Sequence, residues 1–165
     1  TATRKLWRDS LLPIIVDASA LDWLPLDHVP KNTIRVITPH PGEAARLLKT
    51  TPAHVQENRP HAVREISKRF GNCWVVLKGH QTLIGRSTDG LFVNSSGNPH
   101  LAQGGSGDLL AGFIAGLLAQ PVLAADVGRT LRYAVWQHGA AADGLSARKR
   151  NWTVEDLAGE LGNVN

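Results

Sequence analysis

The sequence predicts an α/β fold, a layered arrangement in which helices flank a mostly parallel β-sheet. Short runs rich in Ile and Val alternate along the chain with segments of helical periodicity, as expected when helices connect parallel strands. Asp89-Gly90 separates two apolar runs and predicts an antiparallel hairpin near one edge of the sheet. With 165 residues, of which 42% are hydrophobic and 19% charged, the chain should form a globular domain around a single core.

The predicted strands are apolar runs that stop where polar residues begin. In chain order they are 13–16, 34–37, 74–77, 82–85 and 91–93. Ligands of such sheets bind at the carboxyl ends of the strands. We therefore expect the functional residues of this part of the chain in three polar clusters that follow strands, namely Asp17, residues 38–43 and residues 78–82.

The predicted helices lie between and after these strands. They are a short helix or turn at 21–26, a helix at 42–48, a proline-punctuated helical region at 52–70, and helices at 106–118, 124–145 and 153–161. The apolar spacing of residues 106–118 predicts a helix that is buried nearly all round, with Gly112 and Gly116 allowing close backbone approach on a second face. Thr153 and Asp156 predict a capping box.

Composition excludes several classes of protein. The net charge of +4 comes without a dense arginine tract, so no nucleic-acid partner is expected. The longest apolar run, 109–119, is shorter than the roughly 20 residues that span a bilayer, so no membrane segment is expected either. Cys73 is the only cysteine and cannot form an intrachain disulfide, which favours the cytoplasm. The sequence has no methionine, so we expect a fragment.

The most informative motif is Gly104-Gly105-Ser106-Gly107-Asp108, which opens the predicted helix at 106. Unpaired amides and the helix dipole would make Gly105, Ser106 and Gly107 an anion hole. Asp108, in the first helical turn, would remain ionised and could accept a proton from a hydroxyl group during phosphoryl transfer. A glycine-rich loop in which Asp108 only stabilises the helix terminus is the alternative interpretation.

This motif is the last of four that occur in a fixed order. The others are Thr38-Pro39-His40-Pro41-Gly42-Glu43, then Val76-Leu77-Lys78-Gly79 with Thr82, then Gly97-Asn98-Pro99. With these four motifs in this order, the chain resembles the NAD(P)H-hydrate dehydratases, a branch of the ribokinase-like superfamily. The resemblance implies that residues 1–165 are part of a ribokinase-like dehydratase domain whose N-terminal part is missing. The sequence departs from the family pattern at His80-Gln81, where small residues are usual.

The resemblance also implies an activity. ATP or ADP would phosphorylate the hydroxyl group of the hydrated nicotinamide ring in NADHX or NADPHX, and the ring nitrogen would then help to expel phosphate and regenerate NADH or NADPH. Mg²⁺ would be the cofactor, which suits a site with few protein ligands and several phosphate oxygens. The implied partners are a fused or separate epimerase domain and further copies of the chain in a homo-oligomer.

The family's site residues can be carried over position by position. Asp108 is the predicted catalytic base, and both His40 and Asp108 are predicted to contact the hydrated cofactor. Glu43 is the predicted metal-linked residue, acting through water. The predicted nucleotide-binding residues are Lys78, Gly79, His80, Gln81, Thr82 and Gly107.

Less specific interpretations remain open from the sequence. His40 could be a rigid loop residue, Glu43 a favourable helix-start charge, and Lys78 a surface lysine, while His138 is better explained by packing than by chemistry. The whole chain could instead belong to a ribokinase-like kinase for a vitamin-precursor alcohol, or to a non-catalytic nucleotide-binding module. A stable phosphorylated product would indicate the kinase, and nucleotide binding without turnover would indicate the module.

Overall fold

The computed structural model describes residues 2–26, 29 and 32–163, and the chain divides into two compact units, residues 1–93 and 94–165. The first unit contains a five-stranded sheet of order β1-β2-β3-β4-β5. Its strands are β1 (Ile14–Val16), β2 (Arg35–Ile37), β3 (Trp74–Leu77), β4 (Leu83–Gly85) and β5 (Phe92–Val93). The first three strands are parallel, and β3-β4 and β4-β5 are antiparallel. Both the parallel strands and the hairpin at one edge confirm the prediction.

The helices of the first unit follow the predicted order with two differences. They are α1 (Ala2–Asp9), a short 3-10 helix (Ala18–Trp23), α2 (Pro41–Leu48), α3 (Pro52–Glu57) and α4 (Arg59–Arg69). The predicted helical region at 52–70 is two helices, because Asn58 leaves the helical conformation and its side chain caps the amide of His61. The other difference is α1, which the sequence pattern did not reveal.

Helix α1 is held by a buried arginine. Arg35 lies within β2 and is only 2% exposed. Its guanidinium donates hydrogen bonds to the carbonyl oxygens of Trp7 at 2.7 Å and Ser10 at 2.6 Å, which lie at the end of α1. Burial lowers the pKa of Arg35, but an arginine keeps its proton in proteins, so the cation is balanced by carbonyl dipoles. Arg35 in β2 thus fixes α1, a helix that the hydrophobic periodicity of the sequence does not reveal.

The second unit consists of helices. They are a 3-10 turn (Pro99–Leu101), α5 (Ser106–Leu118), α6 (Pro121–Ala124), α7 (Val127–Arg148) and α8 (Val154–Glu160). A cluster of buried residues joins α7 to α8 and comprises Ala141, Ala142, Leu145, Trp152 and Leu157. Thr153 and Asp156 form the predicted capping box. No helix among the described residues has both the length and the apolar character needed to cross a membrane.

The prediction for α5 was wrong in one respect. The helix has the predicted bounds, but it buries only Ser106, Leu110, Ile114 and Leu118, a single stripe at i, i+4 spacing. Gly112 and Gly116 are exposed, and a Cβ added at either would meet no atom of the described part of the chain within 4 Å. Apolar composition overestimated the burial, because the remaining apolar side chains of α5 are only partly covered.

Candidate functional site

The carboxyl ends of the three parallel strands lie side by side in the first unit. After β2, the amide of Thr38 donates a hydrogen bond to the carbonyl of Val16 at the end of β1 (3.2 Å), and Thr38 is fully buried. After β3, the amide of Lys78 donates to the carbonyl of Pro39 (2.8 Å). The Lys78 ammonium forms an ion pair with Asp17 at 2.7 Å. The cluster at 78–82 is therefore joined to the cluster at 38–43 by a backbone hydrogen bond and to Asp17 by an ion pair.

His40 caps the N-terminus of α2. Its Nδ1 accepts hydrogen bonds from the amides of Gly42 at 3.0 Å and Glu43 at 3.3 Å. Because Nδ1 is an acceptor, the proton of the neutral imidazole lies on Nε2. The side chain is 54% exposed, and Nε2 lies 3.6 Å from Oε1 of Glu43. The sequence predicted His40 as a ligand residue but did not reveal its capping role.

Glu43 completes the capping box. Its Oε2 accepts a hydrogen bond from the His40 amide at 2.8 Å, and its side chain is 8% exposed. The helix-start interpretation of Glu43 is therefore correct, since the carboxylate stabilises the first turn of α2. Its predicted link to a metal stays a prediction. Within residues 2–26, 29 and 32–163, no group of three or more His, Cys, Asp or Glu could hold a metal ion.

The predicted nucleotide loop, residues 78–82, is supported by an arginine that the sequence analysis missed. Arg59, the first residue of α4, donates hydrogen bonds to the carbonyls of Leu77 at 3.0 Å and Gln81 at 3.4 Å, one on each side of the turn. Within the loop, the Thr82 hydroxyl donates to the Gly79 carbonyl at 3.0 Å. Burial lowers the pKa of Arg59.

The departure from the family pattern at His80-Gln81 has a local structural consequence. Both side chains are exposed, and Gln81 adopts φ 54°, a left-handed conformation that glycine would adopt more easily. The Arg59 contact to the Gln81 carbonyl fixes this conformation. The loop therefore keeps a tight turn without a small residue at position 81.

The glycine-rich motif in the second unit forms the N-terminus of α5. Gly105 is the N-cap residue with φ 87°, a conformation that disfavours any residue with a Cβ. Among the described residues no side chain caps this helix, and Asp108 in its first turn is exposed. The Ser106 amide donates a hydrogen bond to the Gln103 carbonyl at 3.4 Å, and the Asp108 carboxylate lies in the same helical turn. The roles of this turn as an anion hole and of Asp108 as a base stay predictions.

His138 forms a buried hydrogen bond to the first turn of α5. It lies on α7, is 7% exposed, and its Nε2 is 3.1 Å from the carbonyl oxygen of Ser106. A carbonyl can only accept, so Nε2 carries a proton. The sequence interpretation of His138 as a packing residue was incomplete, because helical spacing cannot show a hydrogen bond to a residue 32 positions earlier in the chain.

The Gly97-Asn98-Pro99 motif is anchored to α7 by residues that sequence analysis also missed. Asp143 accepts hydrogen bonds from the amide of Gly97 at 2.7 Å and from the side chain of Asn98 at 2.9 Å. At Gly139 the loop backbone comes so close that a Cβ would lie 2.6 Å from the carbonyl carbon of Ser96. No local pattern around Gly139 or Asp143 signals this contact, which links positions more than 40 residues apart.

Comparison with known proteins gives the family. A family model described as NAD(P)H-hydrate dehydratase matches residues 2–162. The chain belongs to the NAD(P)H-hydrate dehydratase family. It is 48% identical over 136 residues to an ADP-dependent (S)-NAD(P)H-hydrate dehydratase of Neisseria meningitidis serogroup B, a match that covers 79% of the chain and 45% of the relative. It is 41% identical over 151 residues to a bifunctional NAD(P)H-hydrate repair enzyme of Escherichia coli, covering 90% of the chain and 28% of the relative.

A solved dehydratase has the same fold. The structure of ADP/ATP-dependent NAD(P)H-hydrate dehydratase from Bacillus subtilis, co-crystallised with ATP and Mg²⁺ and soaked with CoA, superposes with a TM-score of 0.81 at 30% identity. The match covers 93% of this chain and 56% of that structure. It confirms the ribokinase-like α/β fold expected from the sequence. The chain spans half or less of the length of the two relatives above.

Each unit of this dehydratase-family chain therefore holds its own group of predicted site residues. In the first unit, His40, Glu43 and Lys78 occupy the strand-end region, and Lys78 begins the predicted nucleotide loop. In the second unit, the residues of the predicted anion hole and Asp108 share one helical turn. Their roles in binding and catalysis stay predictions, and they are argued below.

Proposed function

We propose that the protein containing this chain dehydrates hydrated NADH and NADPH, with ADP or ATP as co-substrate. The observation that carries the proposal is the first turn of α5, where an exposed carboxylate, Asp108, lies in a helix N-terminus that no described side chain caps. Such a turn favours anions, and an ionised carboxylate within it can accept a hydroxyl proton. The named activity of the Neisseria relative, which is 48% identical, supports the same reaction.

The reaction has two stages. In the first, the ring hydroxyl oxygen attacks the terminal phosphorus of the nucleotide, Asp108 takes the hydroxyl proton, and the bond from phosphorus to the bridging oxygen breaks. In the second, the ring nitrogen donates its lone pair, the C–O bond breaks, and phosphate leaves with the bonding electrons. Loss of a proton from the neighbouring ring carbon then restores the double bond. Phosphorylation is needed because hydroxide is a much poorer leaving group than phosphate.

The remaining site residues have roles that fit their surroundings. The amides of Gly105, Ser106 and Gly107 would stabilise phosphoryl oxygens, because they lie at the positive end of the α5 dipole. The Ser106 amide would exchange its 3.4 Å hydrogen bond to the Gln103 carbonyl for one to the ligand. His40 would contact the hydrated cofactor through its Nε2–H, since Nδ1 is occupied by the α2 amides.

The loop from Lys78 to Thr82, comprising Lys78, Gly79, His80, Gln81 and Thr82, would bind the nucleotide together with Gly107. Lys78 supplies a cation at a strand end, and the Arg59 contacts keep the loop in a fixed turn. A fixed loop loses little conformational entropy when it binds a ligand.

Magnesium fits this chain only as an ion that arrives with the nucleotide. The Glu43 carboxylate accepts a hydrogen bond from the His40 amide, so it can reach a metal through water but cannot provide a full coordination sphere. Mg²⁺ commonly keeps several waters and takes its other oxygens from phosphates. Bound there, it would neutralise charge on the transferring phosphoryl group.

The broader organisation of the protein is also proposed. Residues 1–165 would form part of a larger dehydratase domain, since the chain covers 56% of the Bacillus structure. The bifunctional Escherichia relative supports an epimerase as a fused or separate partner. We further propose that the protein forms a homo-oligomer and works in the cytoplasm.

The test is turnover by the full-length protein with hydrated NADH, Mg²⁺ and either nucleotide, followed by the return of NADH absorbance. Asp108→Asn should lower kcat by about 10²- to 10⁴-fold, the usual contribution of a general base. Its melting temperature should fall only slightly, because Asp108 is exposed and its charge at the helix N-terminus contributes about 0.3–1 kcal/mol. Asp126→Asn is the matched control, since asparagine can still cap the Arg129 amide at the start of α7.

Three outcomes would contradict the proposed activity, and a fourth would contradict the role of Asp108. If neither nucleotide restored NADH absorbance, the protein would have no dehydratase activity. A stable phosphorylated product would show a kinase instead, and nucleotide-induced stabilisation without turnover would show a binding module. If Asp108→Asn were as active as the wild type, Asp108 would not be the catalytic base.

A further inference from the structure

The ion pair between Asp17 and Lys78 links the ends of two strands that are not neighbours. Asp17 follows β1 and Lys78 follows β3, with β2 between them in the sheet, and the two residues are 61 positions apart in the chain. The Nζ–Oδ1 distance is 2.7 Å, and the side chains are only 19% and 10% exposed. This pair is more sheltered than a surface salt bridge, so solvent screens it less.

The local structure indicates that Asp17 is not there to cap a helix. Asp17 occupies the N-cap position of the 3-10 helix Ala18–Trp23, where aspartate commonly bonds to a backbone amide, but its side chain makes no capping hydrogen bond. The next residue, Ala18, adopts φ 54°, a left-handed conformation that is unfavourable for a residue with a Cβ. The chain therefore keeps an unfavourable turn while the Asp17 carboxylate is directed to Lys78.

Lys78 is held at both ends. Its amide donates to the Pro39 carbonyl at 2.8 Å, which fixes the main chain, and Asp17 fixes the ammonium. An unrestrained lysine has a flexible four-carbon stem and loses much rotamer entropy when a ligand orders it. The ammonium has three N–H donors, and among the described residues Asp17 accepts one of them, which leaves two for the oxygens of a phosphate group.

We propose that Asp17 is a positioning residue of the nucleotide site, which holds the Lys78 ammonium ready for the phosphates of ADP or ATP. The inference rests on the proposed nucleotide-binding role of Lys78. Asp17 does not touch the nucleotide and acts only through Lys78. A purely electrostatic role would have the opposite effect, because removal of a negative charge beside the site would strengthen binding of a polyphosphate.

The experiment uses Asp17→Asn in the full-length protein, with Mg²⁺-ADP binding measured by calorimetry and the steady-state constants measured for both substrates. Asparagine keeps the shape of Asp17 but removes the charge, and hydrogen bonds between charged groups are about twice as strong as neutral ones. We expect the Kd and KM of the nucleotide to rise about tenfold, comparable to the loss of one charge-assisted hydrogen bond. The KM of the hydrated cofactor should stay within about twofold of the wild-type value, and Asp17→Glu should restore part of the nucleotide affinity.

Asp22→Asn is the matched control. Asp22 lies in the same 3-10 helix and pairs with Arg46 at 3.2 Å, but the two side chains are 48% and 52% exposed. An exposed pair of this kind contributes little, so Asp22→Asn should change neither nucleotide affinity nor turnover. A loss of nucleotide affinity in Asp22→Asn equal to that in Asp17→Asn would overturn the proposal.

A double substitution tests whether Asp17 acts through Lys78. Lys78→Gln alone should weaken nucleotide binding, and adding Asp17→Asn to it should cause no further loss, because the two changes remove one interaction. The double variant leaves no unpaired charge, so the comparison holds even where Asp17→Asn alone does not fold. Additive losses would overturn the proposal, as would an unchanged or tighter nucleotide Kd in Asp17→Asn.

The measurements separate this inference from the proposed function. A wild-type protein that binds Mg²⁺-ADP but restores no NADH would contradict the dehydratase activity, while the calorimetric comparison would still decide the role of Asp17. A wild-type protein that restores NADH but responds to Asp17→Asn with equal changes in both KM values would contradict the inference alone. A wild-type protein without nucleotide affinity would contradict both.

Discussion

At the scale of single residues, the two nitrogens of His40 have different surroundings. Nδ1 accepts hydrogen bonds from the first amides of α2, while the proposed ligand contact belongs to Nε2 of this half-exposed side chain. One side chain thus stabilises a helix and presents a donor whose position that helix fixes. Replacing the whole side chain would disturb both tasks, so an informative variant must change only one.

His40→Asn is such a variant. The asparagine side-chain oxygen can reach the position of Nδ1 and is among the best N-caps, so the free energy of unfolding should change by less than about 0.5 kcal/mol. No group of asparagine reaches the position of Nε2, and the KM of the hydrated cofactor should therefore rise about tenfold, the equivalent of one lost hydrogen bond. Urea unfolding and steady-state kinetics measure the two effects.

His40→Ala provides the comparison. It removes the cap as well as the ligand contact and should cost about 1 kcal/mol of stability in addition to raising KM. An unchanged KM in His40→Asn would show that Nε2 has no contact with the substrate. A loss of stability in His40→Asn as large as in His40→Ala would show that asparagine does not take over the cap.

At the scale of elements, α7 determines the shape of the loop that precedes α5. Gly139 lets the loop backbone approach the helix, Asp143 fixes the Gly97 amide, and His138 fixes the first turn of α5. These three positions occur within six residues of α7 and contact different parts of the segment from 96 to 106. The geometry of the predicted anion hole therefore depends on a helix that contributes no residue to it.

Gly139→Ala should destabilise the chain and impair turnover together. The new Cβ would lie 2.6 Å from the Ser96 carbonyl carbon, so the loop or the helix must shift, at a cost of about 1–3 kcal/mol for overpacking. The displaced loop should lower kcat, because misplacement of about 1 Å can reduce catalysis about 100-fold. Chemical denaturation and turnover of the variant check both effects.

Gly144→Ala, on the same helix, is the control. Of the described residues, a Cβ at this position would meet only the Arg148 guanidinium, at 4.0 Å, so alanine should raise stability by up to about 1 kcal/mol through its helix propensity. Its turnover should equal that of the wild type. If Gly139→Ala were as stable and active as Gly144→Ala, the close approach of loop and helix would have no functional importance.

Sequence patterns predicted elements whose signals are local. Runs of β-branched residues gave the three parallel strands, and Asp89-Gly90 gave the hairpin. Helix α1 was missed because Trp7 is its only fully buried residue and the rest of its support comes from Arg35, 28 positions away. Likewise, residue types in the motifs pointed to His40, Lys78 and Asp108, whereas Arg59 and Asp143 support loops through distant backbone contacts that no local spacing encodes.

At the scale of the whole molecule, one thiol can report on the stability of the core. Cys73 is the only cysteine in the sequence, and it is 2% exposed within the hydrophobic core of the first unit. Burial strongly raises the pKa of its thiol, because the thiolate would have to be desolvated. The folded chain therefore keeps this thiol protonated at pH values where an unfolded chain would release the proton.

This difference gives the pH dependence of stability a predictable sign. A folded-state pKa above the unfolded value stabilises the chain fully below the unfolded pKa of about 8.5, and the contribution is lost as pH rises toward the folded value. Above pH 8.5, the free energy of unfolding should therefore fall by up to about 1.4 kcal/mol per pH unit from Cys73 alone.

Cys73→Ala separates the contribution of Cys73 to this pH dependence from the contributions of the lysines and the tyrosine, which also lose protons at alkaline pH. The variant should be less stable at neutral pH, because it leaves a small cavity, but its stability should fall less steeply between pH 8.5 and 10. Urea unfolding followed by tryptophan fluorescence at several pH values measures both slopes. Parallel curves for the two proteins would show that Cys73 ionises equally in both states, which would contradict its burial in the core.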